Sequence, residues 1–154
     1  YYITSKIIEK LMSAHNKPAL AVLLVQKEVA QRIAARPGDM SVLGISAQVF
    51  SETSLGIEVP RKFFAPPPKV DSQVVILKTY QKPRVEQENE RAFFRVVKAG
   101  FSSKRKKLRS SIAAGLAISK PAAIELLTHT GIDPDLRAQD LSLDDWIRLA
   151  RDSV

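Results

Sequence analysis

Seven consecutive apolar residues, Ala19-Leu20-Ala21-Val22-Leu23-Leu24-Val25, constrain this chain more than any other feature. The run is far short of the roughly 18 residues a membrane span requires. It has the length of a strand. A strand that is apolar at every position suits a sheet covered on both faces, the usual setting of parallel strands. Such a strand needs neighbours on both edges. Only two further strands are predicted, residues 54–59 and 72–80, and three strands cannot supply neighbours for all. This part of the chain therefore reads as the second half of a larger sheet.

Helical spacing surrounds the run. Residues 5–13 place Ile7, Ile8, Leu11 and Met12 on one face, and residues 26–35 do the same with Val29 and Ile33. Arg36-Pro37-Gly38-Asp39 is a turn. Residues 41–50 resume helical spacing, with Ser41 in an N-cap position. Between the two later strands lies Pro60-Arg61-Lys62-Phe63-Phe64-Ala65-Pro66-Pro67-Pro68. Its prolines exclude both a helix and a central strand.

Residues 83–89 are polar, contain Pro83 and read as a linker. Beyond them every periodic segment is helical. Residues 90–100 are amphipathic through Phe93, Phe94 and Val97, with Phe101 next on the same face. Residues 104–116 align Leu108, Ile112 and Leu116. Pro121 opens a helix over residues 122–130. Ser142 caps a last helix whose first turn carries Asp144 and Asp145, where the helix dipole favours anions. Trp146 and Leu149 are its core anchors. The predicted organisation is a strand–helix part over residues 1–82, a linker, and a helical domain over residues 90–154.

Composition narrows the chemistry. No cysteine is present, which removes disulfides, thiolate metal sites and cysteine nucleophiles, and with two histidines, His15 and His129, no metal site is expected. Tyr1-Tyr2-Ile3-Thr4 has no secretory character, so a cytoplasmic location and no membrane partner are expected. The net charge is +8, which points to a polyanionic partner. The excess is regional. Residues 98–109 carry Lys98, Lys104, Arg105, Lys106, Lys107 and Arg109 with no acid, whereas the tail from Gly131 is rich in aspartate. A charge run is ordinarily a solvated face, but such faces mix signs. The absence of interleaved acid favours phosphate contact.

Two segments then point to one family. Phe64-Ala65-Pro66-Pro67-Pro68-Lys69-Val70-Asp71-Ser72 resembles the Phe-x-Pro-x-Pro-Lys-Val-x-Ser loop that precedes the last strand of ribosomal RNA adenine dimethyltransferases. Gln26-Lys27-Glu28-Val29-Ala30-Gln31-Arg32 resembles the Gln-x-Glu-Val-Ala-x-Arg segment after their fifth strand. Two more segments agree. Tyr1-Tyr2-Ile3-Thr4-Ser5 is similar to the residues on the C-terminal side of Asn-Leu-Pro in their catalytic motif. Phe101-Ser102-Ser103-Lys104-Arg105-Lys106-Lys107-Leu108-Arg109 is similar to their Phe-x-x-Arg-Arg-Lys-x-Leu-Arg stretch, with Lys104 in place of the first arginine. The four segments occur in the family's order across almost the whole chain.

The resemblance implies an α/β fold: the C-terminal half of a Rossmann-like methyltransferase sheet, followed by a small all-α domain. It implies methyl transfer from S-adenosylmethionine to the exocyclic amine of adjacent adenosines in small-subunit ribosomal RNA. Tyr1 and Phe64 take the places of the aromatic faces that hold the flipped adenine, and Phe63, the neighbour of Phe64, is left as a packing residue. Arg61, Lys62, Lys69, Lys104, Arg105, Lys106, Lys107 and Arg109 are the candidate RNA-binding residues. The family's Asn-Leu-Pro, its Gly-rich turn and its ribose-binding acid are expected upstream of Tyr1. The six glycines here are too far apart for such a turn. This chain alone is therefore expected neither to bind the donor nor to catalyse. Two alternatives stay open: dimethylation of large-subunit RNA, as in the macrolide-resistance branch, and a non-catalytic RNA-binding or ribosome-assembly module. The Pro-Lys-Val-Asp-Ser run and the basic helical tail favour the small-subunit branch.

Overall fold

The central strand of the sheet is the last one in sequence. In the computed structural model, which describes residues 3–154, the order of elements in the first unit is α1 (Thr4–Ser13), β1 (Leu20–Gln26), α2 (Lys27–Ile33), α3 (Val42–Gln48), β2 (Ser51–Val59) and β3 (Ser72–Thr79). The strands lie in the order β1-β3-β2. Both pairings are antiparallel, with Val22 opposite Ile76 and Thr53 opposite Leu77. This unit takes in the chain up to Ala35 together with Leu43–Arg84.

The apolar run departs from its expectation in both burial and strand direction. In β1 only Ala21 and Val25 are buried, while Leu20, Val22 and Leu24 are 57%, 58% and 46% exposed. The strand also pairs antiparallel with β3, and its other edge meets no strand among the described residues. An unbroken apolar sequence specifies that both faces want cover; it carries no information on strand direction. The described residues supply one face of that cover, with α2 packed across all three strands. Central β3 buries Val75 and Leu77 completely, each contributing about 1.5–3 kcal/mol by removal from water.

Side-chain hydrogen bonds close the ends of α2, α3 and the sheet in this unit. Gln48 donates from Nε2 to the carbonyls of Ile33 and Ala35, both at 2.9 Å, satisfying acceptors that the end of α2 leaves open. Ser51 donates to the Ala47 carbonyl at 2.7 Å where α3 passes into β2. Thr79 closes the far end of the sheet by donating to the Pro18 carbonyl at 2.6 Å.

The second unit combines Arg36–Val42 with Val85–Val154. Its helices are α4 (Glu90–Phe101), α5 (Leu108–Leu116), α6 (Lys120–His129) and α7 (Leu143–Asp152). Phe93, Val96, Val97, Leu108, Ile112, Leu127, Leu141, Trp146 and Leu149 form its core, each at most 1% exposed. Trp146 stacks on Phe101 with ring centroids 5.5 Å apart. Two glycines set the helix approaches. A Cβ at Gly100 would overlap the Trp146 ring, and one at Gly115 would overlap the Ala99 backbone. Ser142 and Asp145 form the capping box of α7, and Ser119 caps α6. The turn after α2 belongs to this unit: Gly38, at φ +109°, and Met40 both donate their N–H to the Gln139 carbonyl. The helix predicted over residues 104–116 begins only at Leu108. Residues 102–107 form a turn instead, because Leu108 and Arg109 direct their N–H groups to the carbonyls of Leu136 and Pro134. Among the described residues no single helix is long and apolar enough to cross a membrane.

Candidate functional site

The proline-rich connection between β2 and β3 is held by one carboxylate. Asp71 accepts from the Arg61 N–H through Oδ1 at 2.9 Å, and its own carbonyl accepts from the Lys27 N–H at 3.0 Å. One residue thus ties the start of the loop, the end of the loop and the first turn of α2 together. The Arg61 guanidinium adds a bond to the Lys69 carbonyl at 3.3 Å. Lys27 pairs with Glu58 at 3.0 Å across the same region. Directly after Pro60 the chain makes a single 3-10 turn, Arg61–Phe63, so the segment is not wholly irregular. Proline at the N-cap is compatible with such a turn because its missing N–H would be unpaired there anyway.

The turn separates the two phenylalanines. Phe64 is half-buried. Phe63 is 71% exposed, with the Lys62 ammonium 5.3 Å from its ring centroid. From the sequence, Phe63 is the packing residue of the pair; the structure reverses that, because the last residue of the 3-10 turn points to solvent. Arg61, Lys62 and Lys69 are all exposed on this loop. Tyr1, the other expected aromatic face, lies outside the described residues.

In the second unit the basic run divides in two. Lys107 and Arg109 clamp Asp135, at 2.9 Å each. Chiefly the Lys107 hydrogen bond, and with it the charges of Arg109 and Lys107, hold the Asp135 carboxyl below the ordinary carboxylate value, against the opposing effect of desolvation. These two cations therefore already serve the α5 entry. Lys104, Arg105 and Lys106 are exposed and their side chains have no partner among the described residues. They are the part of the run available to a polyanion.

The described residues form no cradle for S-adenosylmethionine. Such a cradle needs a glycine turn between a strand and a helix so that backbone can approach the ligand. β1 passes directly into α2 at Gln26 and Lys27, both with side chains, and the positive-φ glycines Gly38 and Gly131 lie in turns of the helical unit.

The family model described as ribosomal RNA adenine dimethylase matches residues 1–152. The chain belongs to this family. The ribosomal RNA small subunit methyltransferase A of Dehalococcoides mccartyi (strain CBDB1) is 43% identical over 149 residues, which are 97% of this chain and 51% of that protein. The chain thus spans about half the length of the curated relatives it matches. A dimethyladenosine transferase of Plasmodium falciparum superposes with a TM-score of 0.79 at 27% identity, covering 97% of this chain and 63% of that one. The 23S rRNA methyltransferase ErmE superposes with a TM-score of 0.72 at 24% identity, covering 99% and 61%, a likeness of fold alone. The expected fold class, a methyltransferase half-sheet followed by helices, is borne out by these superpositions.

Proposed function

We propose that this chain is the base-holding and RNA-holding part of an enzyme that dimethylates adjacent adenosines of small-subunit ribosomal RNA, with S-adenosylmethionine as donor. Residues 1–82 form the part that presents the target base, and residues 90–154 grip the RNA. The observation that carries this reading is the organised proline loop, pinned by Asp71 inside a family motif. A base within a helix must leave its stack before its amine can react. Phe64 offers a ring on a loop whose position is set before substrate arrives, which lowers the entropy of holding the base flat. Tyr1 is proposed as the opposing face. Arg61, Lys62 and Lys69 neutralise phosphates flanking the extruded base, and Lys104, Arg105 and Lys106 hold further phosphates from the helical unit. Lys107 and Arg109 act mainly by shaping that loop through Asp135. The name of the bacterial relatives favours small-subunit over large-subunit RNA.

The test is a pair of substitutions in the enzyme that carries this chain. Phe64→Ala is expected to lower methyl incorporation by about tenfold to a hundredfold, the worth of one stacking face at roughly 1–3 kcal/mol. RNA affinity, spread over many phosphate contacts, should change little. Phe64→Tyr should recover most of the activity. A folded Phe64→Ala variant with wild-type activity would refute the stacking role, whereas no methyl incorporation by the unsubstituted enzyme, with RNA binding intact, would leave a non-catalytic RNA-binding module as the better account.

A further inference from the structure

We infer that the outward face of α4 is a track for the phosphate backbone of double-helical RNA. The inference rests on the proposed RNA-binding function and extends it to a helix that none of the four family-like segments includes beyond its last residue. Arg91, Arg95 and Lys98 are all exposed on α4 (Glu90–Phe101). At 3.6 residues per turn they fall within a sector of roughly 60°, along about 10 Å of helix. The opposite face, with Phe93, Val96, Val97 and Gly100, is buried. None of the three cations has an ion-pair partner among the described residues, although Glu88 and Glu90 lie close by in sequence at the start of the helix. Elsewhere in the same unit Lys107, Arg109 and Arg148 each have a carboxylate.

Helix stability does not explain the pattern. Lys98, in the last turn, is favoured by the dipole, but Arg91 stands in the first turn, where a cation is disfavoured. In sequence the stripe is followed, within six residues of Lys98, by Lys104, whose side chain like those of Arg105 and Lys106 is exposed and has no partner among the described residues. Over 10 Å a duplex presents about three phosphates per strand, which matches three cations on a rigid rod. The face offers no ring to a splayed base: Phe93 is buried and Phe94 is half-buried against it, edge to face at 5.1 Å. Single-strand sites combine basic grooves with aromatic platforms, whereas duplex RNA is gripped through its backbone. The chemistry on this face is that of a duplex contact.

The experiment measures binding of the full chain to an RNA duplex of about 16 base pairs, and to one of its strands alone, by fluorescence anisotropy across a salt series. The triple variant R91A/R95A/K98A should lower the log–log salt slope by about 2–3, close to 0.9 for each lost phosphate contact, with an unchanged melting temperature. R91K/R95K keeps the charge and should keep the slope. K104A/R105A/K106A should lower the slope through the adjoining loop. Wild-type duplex binding with an unaltered slope in R91A/R95A/K98A would overturn the α4 track and leave the proposed function standing. Tighter binding of the single strand than of the duplex would overturn the duplex assignment. A wild-type chain without salt-dependent RNA binding would overturn both readings.

Discussion

Phe63 and Phe64 are adjacent residues of one type, and their surroundings assign them different fates. The half-buried ring of Phe64 comes just after the 3-10 turn; the Phe63 ring stands in solvent beneath the Lys62 ammonium. Phe63→Ala should therefore change unfolding free energy by no more than about 0.5 kcal/mol, the range of exposed substitutions. A loss of about 3 kcal/mol or more in chemical denaturation would show a core ring instead. Asp71 has the opposite character. Asp71→Ala removes the acceptor for the Arg61 N–H while leaving its own carbonyl bond to Lys27. The loss should be about 0.5–1.5 kcal/mol, with faster proteolytic cleavage between residues 61 and 70. A cleavage rate equal to wild type would show that the prolines alone hold the loop.

Among the elements, the α4–α5 contact is set by Gly115, whose missing side chain lets α5 approach Ala99. Alanine is the better helix former by about 1 kcal/mol, yet a Cβ here would run into the Ala99 backbone. Backbone cannot swing aside as a side-chain tip can. Gly115→Ala is thus expected to destabilise the helical unit by about 1–3 kcal/mol net of that gain; a stabilised variant in urea melts would contradict the close approach. The α5 entry also has a pH signature. The carboxyl of Asp135 is lowered in the folded state, so the unfolded state binds more protons and stability rises with pH. The contribution is complete above the ordinary carboxylate value and is lost as pH falls through the lower folded value. It should be weakened by salt because the groups are exposed. Asp135→Asn should flatten the acid limb of the stability–pH curve; an unaltered limb would show that the clamp contributes nothing.

Elements of this kind show what the sequence made legible. Ser142 with the aspartates of the first turn, Pro121, and the spacing of Trp146 and Leu149 identify helix starts and core positions because capping and periodicity are local, although α6 begins at Lys120 under a Ser119 cap, two residues before the expected start. The start of α5 was not legible. Its position is decided by Leu136 and Pro134, whose carbonyls take the first N–H groups from distant points in the sequence. For the same reason nothing in Arg36-Pro37-Gly38-Asp39 announces that Arg36–Val42 is anchored on Gln139 in the helical unit. Strand direction in the sheet is likewise a property of pairing, not of any one strand. Within the candidate site, the motif revealed Phe64 as a position, but Asp71 falls at one of its variable places and its hold on the loop shows only in the hydrogen bonds; the exposure of Phe63 depends on a 3-10 turn that two identical neighbours do not encode.

At the scale of the whole molecule, charge and fold divide the work. The first unit presents a stiffened loop with one half-buried and one exposed ring, and the second carries free cations in the α4–α5 turn. Their common substrate in the proposed function is RNA, and the choice between its two ribosomal forms is open to direct measurement. The enzyme that carries this chain is supplied with S-adenosylmethionine and, separately, with small-subunit particles and large-subunit RNA that lack the modification. Each RNA is then digested and its dimethyladenosine quantified and located by mass spectrometry. Dimethyladenosine at a pair of adjacent adenosines in the small-subunit RNA is the predicted result. Dimethyladenosine at a single adenosine of the large-subunit RNA, or none in either RNA while binding to both persists, would contradict the account.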